Sequence, residues 1–173
     1  MFYLELTSGL RRGELLALTW ADLDTEKRIL SINKQVGRVN GALTVSQPKT
    51  PNSIRRIVLP EQTVDMLIAE HEKHTDSIYM FTSPITGTML DPPAVGRKMK
   101  KLLKRAGIDE IRFHDLRHTF ATLSLQNGVD IKTLSNILGH YSAGFTLDTY
   151  THVTTQMQED AANKIGGFME NAK

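Results

Sequence analysis

The chain has 173 residues and a mass of 19.4 kDa, of which 40% are hydrophobic and 23% charged; this is ordinary globular composition with room for one domain and a small appendage, and it excludes a wholly disordered, collagenous or coiled-coil chain. The absence of cysteine excludes disulfides, thiolate metal sites and thiol catalysis and fits a reducing, cytoplasmic setting, while no apolar run approaches the roughly 20 residues of a membrane span and no secretory leader is expected. The net charge of +2 is unevenly spread: residues 97–117 carry eight basic and three acidic side chains, which suits a surface facing a polyanion or, more plainly, a solvated lysine-rich helix face.

The first residues follow a helical pattern, with Leu4, Leu6, Leu10, Leu15, Leu16 and Leu18 at mostly helical spacings and a turn expected at Ser8-Gly9. Buried-type residues follow Met1 at once, so the start is expected to cut into a larger protein. Residues 29–36 alternate and read as a strand. Asn40-Gly41 is a hairpin-turn dipeptide, since both residues tolerate positive φ, and residues 42–46 are expected to pair back. Residues 54–59 supply a third strand after a loop at 47–52. Helices are expected at 61–74, at 92–106 (basic, ending at Gly107), at 114–127, and at 131–138, capped by Asp130 and stopped by Gly139. Residues 78–90 are turn-rich, with a short extended piece at 79–82. Further helices are expected at 144–151 and 155–170. The expected fold is a single domain, mainly α with a small three-stranded antiparallel β-sheet.

Five features carry possible chemistry. Arg11, beside a glycine-containing turn, presents a planar fork suited to phosphate, and Glu14 three residues on can hold the guanidinium; a surface ion pair is the plainer reading. Lys49, between Pro48 and Pro51 on a loop joining two strands, can act as a point charge or proton donor, or be a solvated loop lysine. His114 and Arg117 face the same way on a helix, an imidazole beside a guanidinium. His114 and His118, four apart, are alternatively a zinc-ligand pair, against which Arg117 places a cation beside the metal. His140 follows a helix-ending glycine on an exposed corner. Tyr150 is either a nucleophile that needs help from cations or a base, or a packing residue.

Taken in order, Ser-Gly-Leu-Arg-Arg-Gly-Glu-Leu, Pro-Lys-Thr before a strand, His-Asp-Leu-Arg-His-Thr-Phe-Ala-Thr, Leu-Gly-His, and a tyrosine ten residues after that histidine closely resemble the catalytic domain of the tyrosine recombinases, the phage-integrase family. The resemblance runs from about residue 7 to residue 153, and the motifs look most like integrases of conjugative transposons and temperate phages of Gram-positive bacteria. It implies that Tyr150 attacks a DNA phosphodiester to give a 3′-phosphotyrosyl bond and a free 5′-hydroxyl. Arg11 and Arg117 would clamp the non-bridging oxygens. His114 would bind the phosphate and help with proton transfer at the tyrosine, Lys49 would protonate the leaving 5′-oxygen, and His140 would add a hydrogen bond, with Glu14 supporting Arg11. Neither metal nor ATP nor another cofactor is needed, because bond energy is conserved in the covalent link.

The basic segment Arg97, Lys98, Lys100, Lys101, Lys104 and Arg105 is expected to lie along the DNA backbone, helped by Arg55 and Arg56. The expected partners are double-stranded DNA, further copies of the chain in a tetramer joined through the tail at 155–173, and accessory DNA-bending or directionality proteins; no membrane partner is expected. The tail, with Met157, Ile165, Phe168 and Met169, docks on a neighbour or packs on its own domain. The family's N-terminal core-binding domain is expected to be absent, and its first catalytic-domain helix partly missing. A type IB topoisomerase and a DNA-binding relative without chemistry are the competing readings.

Overall fold

The computed structural model describes residues 1–48, 50–73, 76–84 and 86–150, and in the last stretch 157–159, 161–163 and 165. Helices α1 (Phe2–Ser8) and α2 (Arg12–Ala17) are parted by a left-handed residue at Gly9, where the turn is expected. The leucines of this stretch form the centre of the molecule: Leu4, Leu10, Leu15, Leu16 and Leu18 are at most 2% exposed. Leu30, Ile32 and Ile57 close on them from strands, and Val95, Met99, Phe113 and Leu116 from helices. Each such side chain contributes about 1.5–3 kcal/mol when fully buried, so the N-terminal leucines anchor the fold.

The strands are β1 (Leu23–Asp24), β2 (Ile29–Ile32), β3 (Gln35–Val39), β4 (Ala42–Ser46) and β5 (Arg55–Val58). A three-stranded antiparallel sheet is present, but its members differ from those expected: its order is β1-β2-β5, with Leu30 opposite Ile57. β3 and β4 form a separate hairpin, with Val36 opposite Val45, turning at Asn40-Gly41. Residues 29–36 are therefore two strands rather than one. The break falls at Asn33-Lys34, where Lys34 Nζ is drawn out to the Asp22 carboxylate at 2.6 Å and to Thr19 at 3.2 Å. Beyond it, β3 packs on α2.

The remaining helices are α3 (Glu61–His71), α4 (Pro92–Ala106), α5 (Phe113–Gln126), α6 (Ile131–Leu138) and α7 (Ala143–Thr149), close to the expected spans. The Asp130 carboxylate accepts the Thr133 N–H at 2.9 Å and starts α6, as its position predicts. Ser142 does the same for α7 through Phe145 N–H. In the turn-rich stretch, single bridges join Tyr79 to Thr19 and Thr82 to Met89. α1 packs on α5, and α6 packs on both β5 and α7. This packing brings the Gly9 turn, the middle of α5 and the α6–α7 loop together. A second apolar cluster of Ala121, Leu125, Leu134, Leu138 and Tyr150 lies beside them. The described residues of the last stretch are helical; Met157 packs on that second cluster and Ile165 is exposed. Phe168 and Met169 lie outside the described residues. Among the described residues, no helix is long and apolar enough to cross a membrane.

Candidate active site

Arg11 stands immediately before α2, and Glu14, in the first turn, reaches back to it twice. One Glu14 oxygen accepts the Arg11 backbone N–H at 2.9 Å and the other accepts Nη1 at 2.8 Å. Arg11 Nη2 donates to the carbonyl of Gly139 at 2.8 Å, tying the start of α2 to the end of α6. The side chain remains 38% exposed, so it can still meet a ligand. Glu14 is 1% exposed, and it holds a second arginine that the sequence places elsewhere. Arg55 Nη2 and Nη1 donate to its two oxygens at 2.9 and 3.1 Å, and Arg55 Nε donates to Ile137 O at 2.6 Å. The expectation that Arg55 lies on the DNA backbone is therefore corrected: its side chain is 7% exposed and clamps the Glu14 carboxylate. Burial pushes the Glu14 carboxyl up, but the bonds from Arg55 and Arg11 outweigh it and hold the group below its ordinary range. Arg56, the next residue, is exposed.

Arg117 rises from α5 into the same cluster. It is 3% exposed, and its guanidinium donates to the carbonyls of Gly9 and of Leu138, the latter at 2.8 Å. Burial, and then the nearby Arg11, pull its pKa down to about 10, so it remains a cation at neutral pH. Glu5, on α1, is 1% exposed, with no hydrogen-bond partner for either carboxylate oxygen among the described residues. Burial raises it to about 8, against the opposing pull of Arg117. Three arginines thus share one pocket with one firmly ionised carboxylate.

His140, one residue past Gly139, hydrogen-bonds through Nδ1 to the Thr146 hydroxyl at 2.7 Å and packs edge-on against Phe145. Thr146 is fully buried. Burial, followed by Arg117, Arg11 and Arg55, lowers His140 to about 4, so its ring is neutral at neutral pH. His114 is exposed, beside Arg12, Arg112 and Phe113 in a hollow of about 230 Å³. Its pKa is lowered, first by desolvation and then by His118 and Arg117.

Tyr150 follows α7 and is 3% exposed, its ring part of the second apolar cluster. Its hydroxyl lies 3.1 Å from His118 Nδ1. His114, the histidine expected to help at the tyrosine, meets the His118 ring edge-on at 4.7 Å. Burial raises the pKa of the tyrosine hydroxyl, and the Arg117 charge offsets that only in part. The role of His118 had a sequence signal, four residues after His114 on one helix face, which reads equally as a metal-ligand pair. That zinc reading finds no third ligand, since no group of three His, Cys, Asp or Glu gathers among the described residues. Thr146 and Glu5 had no such signal. Lys49 lies outside the described residues.

On α4, Arg97, Lys98, Lys100, Lys101, Lys104 and Arg105 are all exposed, while Val95 and Met99 face the core. Lys100 pairs with Glu110 at 2.7 Å.

The model of the phage integrase family matches residues 1–157. A XerC-like tyrosine recombinase of Caldanaerobacter subterraneus is 33% identical, over 95% of this chain and 48% of that protein. The ICEBs1 integrase of Bacillus subtilis is 32% identical, over 94% and 46%. The chain spans about half the length of the curated relatives it matches. Among solved structures, the Tn1549 transposon integrase in complex with transposon right end DNA superposes with a TM-score of 0.79 at 24% identity, over 93% of this chain and 57% of that one. The XerA recombinase gives 0.73 at 28%, over 91% and 55%. The fold is that of a tyrosine recombinase catalytic domain, and the chain belongs to the phage integrase family.

Proposed function

We propose that this domain cleaves and rejoins DNA strands through a 3′-phosphotyrosyl intermediate, as the catalytic part of a site-specific recombinase that integrates and excises a mobile element. The observation that carries this reading is the anchoring of Arg11 and Arg117. Backbone carbonyls of Gly139, Leu138 and Gly9 hold both guanidiniums beside a neutral His140. Such an arrangement suits the charge that grows on the two non-bridging oxygens as a phosphodiester becomes pentacovalent. Preset donors do this without reorganising, and each typically contributes about 10²–10³ in rate. Thr146 supports His140 as a donor: if its hydroxyl donates to Nδ1, the proton sits on Nε2 and points away to the substrate. Tyr150 is the nucleophile in this scheme, and Lys49 the acid for the leaving 5′-oxygen. His114, exposed beside the basic hollow, binds phosphate.

The site's cations come from side chains, so the reaction is proposed to need neither metal nor ATP. The substrate is double-stranded DNA, in the bacterial cytoplasm. The assembly is a tetramer on DNA joined through the tail at 155–173, with accessory DNA-bending or directionality proteins as further partners. The α4 cations and Arg56 follow the phosphate backbone.

A trapping experiment tests the chemistry. The chain is mixed in EDTA with a randomised pool of nicked duplexes whose cleavage releases a short fragment, then denatured in SDS. A covalent protein–DNA adduct is expected, and Tyr150→Phe should abolish it. An adduct that survives in the variant, or one that forms only with added magnesium, overturns the scheme. Duplex binding without any adduct leaves this chain a DNA-binding module.

A further inference from the structure

We infer that Asn52 is a positioning residue for His140. The inference rests on the proposed cleavage chemistry, in which His140 hydrogen-bonds the phosphate. The last four carbonyls of a helix have no partner within it. At the end of α6, those of Ser135 and Asn136 accept the backbone N–H groups of His140 and Gly139. Those of Ile137 and Leu138 accept Arg55 and Arg117, at 2.6 and 2.8 Å. The series does not stop with the helix. Gly139 O accepts Arg11 at 2.8 Å, and the Asn52 side-chain amide donates to Tyr141 O at 3.0 Å and, more weakly, to His140 O at 3.4 Å. Five consecutive carbonyls, from residue 137 to residue 141, thus each meet a side-chain donor from another element. Both partners of Asn52 are carbonyls, so the nitrogen of its amide, not the oxygen, faces them.

The arginines hold the helix end itself, whereas Asn52 holds the loop that follows, and His140 lies on that loop. Asn52 comes from the one-turn helix Pro51–Ser53, and Ser53 Oγ at its end accepts Arg11 Nη1 at 3.4 Å. One short turn therefore touches Arg11 on one side and the His140 loop on the other. Thr146 and Phe145 orient the His140 ring relative to α7. Asn52 ties the backbone of that histidine to the turn that borders Arg11, and so sets where the ring stands relative to the arginine pocket. Asn52 is exposed and lies 88 residues before His140 in sequence. The tie is tertiary, and its loss leaves the buried core intact.

Two measurements on this chain test it. The first needs no DNA: the His140 imidazole is titrated by NMR in wild type and in Asn52→Ala. In wild type the ring should titrate at about 4, held down by burial and then by the charges of Arg117, Arg11 and Arg55. Releasing the loop should bring water to the ring and raise its pKa toward the ordinary 6.5. A His140 pKa that does not move in Asn52→Ala overturns the inference. The second measurement follows adduct formation from the nicked pool through a cycle of Asn52→Ala and His140→Ala. Alone, Asn52→Ala should slow the reaction by about 10- to 100-fold, no more than the loss of one donor outright. In the His140→Ala background the same change should cost less than about twofold, because the residue it positions is gone. The same cost in both backgrounds, or none in wild type, also overturns the inference. Failure of the underlying reading looks different: wild type would give no adduct, or Tyr150→Phe would leave it intact, while the titration still reports on the tie.

Discussion

Glu5 is the residue whose chemistry is most at odds with its surroundings: a carboxyl held in the core, raised to about 8 by burial, and close enough to Arg117 to feel its charge. It remains protonated at neutral pH, so it adds no negative charge opposite Arg11, Arg55 and Arg117 and keeps the pocket positive for a phosphate. Linkage gives the sign of its effect on stability. Its folded pKa lies above the ordinary 4.5, so the folded state binds more protons than the unfolded state between about pH 4.5 and about pH 8. Stability from this group is complete below pH 4.5 and is lost as pH rises through that window, at a slope of no more than about 1.4 kcal/mol per pH unit. Urea denaturation should therefore show wild type weakening from pH 5 to pH 8, and Glu5→Gln should be flatter and more stable at pH 8. A wild-type profile as flat as the variant's would place an ionised Glu5 in the core and contradict this account. Nothing in the sequence marks Glu5, since a lone glutamate among leucines on a helix is legible only as an exposed face. Arg11 and Glu14 were legible because three residues on a helix start make a local pair. Arg55 was not, because its partner is 41 residues away and only the packing of β5 on α6 delivers it.

At the scale of the elements, the two helix-ending turns do the positioning. Gly9 ends α1 at φ 59° and Gly139 ends α6 at φ 64°, and the carbonyl of each accepts an arginine of the site. Neither turn has room for a side chain. A Cβ on Gly9 would stand 2.4 Å from Phe120 Cδ1 and 2.8 Å from Leu138 Cδ2; one on Gly139 would stand 2.9 Å from Arg55 Nη1 and 3.0 Å from the Asn52 carbonyl. Left-handed strain of about 1–2 kcal/mol adds to overpacking of about 1–3 kcal/mol. Gly9→Ala should then lower the urea midpoint by an amount worth about 2–5 kcal/mol, and Gly139→Ala should do likewise while also slowing adduct formation, since Arg11 loses its anchor. A Gly139→Ala variant of wild-type stability would show that the α6–α7 loop gives way and that Arg11 is not held there. The helix ends were legible for the same local reasons: Asp130 before an apolar repeat and glycine after one need no knowledge of the rest of the chain. The sheet was not. Alternation runs unbroken through residues 29–36, and only the pull of Asp22 on Lys34, with the choice of β5 over β4 as partner to β2, divides it.

Across the whole molecule, the charge pattern acquires a direction once Arg55 is removed from the surface inventory. The apolar side of α4, with Val95 and Met99, is spent on the core, and its six cations point outward. Lys100 pairs with Glu110, but both ends of that pair are more than half exposed, so it holds the lysine only weakly. A helix of this kind binds phosphates through counterion release, and the salt dependence of binding counts the contacts. Each phosphate neutralised on duplex DNA contributes about 0.9 to the slope of log affinity against log salt. Replacing Lys101 and Lys104 together by glutamine should therefore weaken binding to an arbitrary duplex at low salt and lower that slope by about 1.8, with the fold unchanged, because neither side chain is in the core. Fluorescence anisotropy across a salt series reads both quantities at once. An unchanged slope would mean that α4 lies off the DNA and that its lysines serve only solubility; the positive pocket of Arg11 and Arg117 would then have to find its phosphate with no help from this helix.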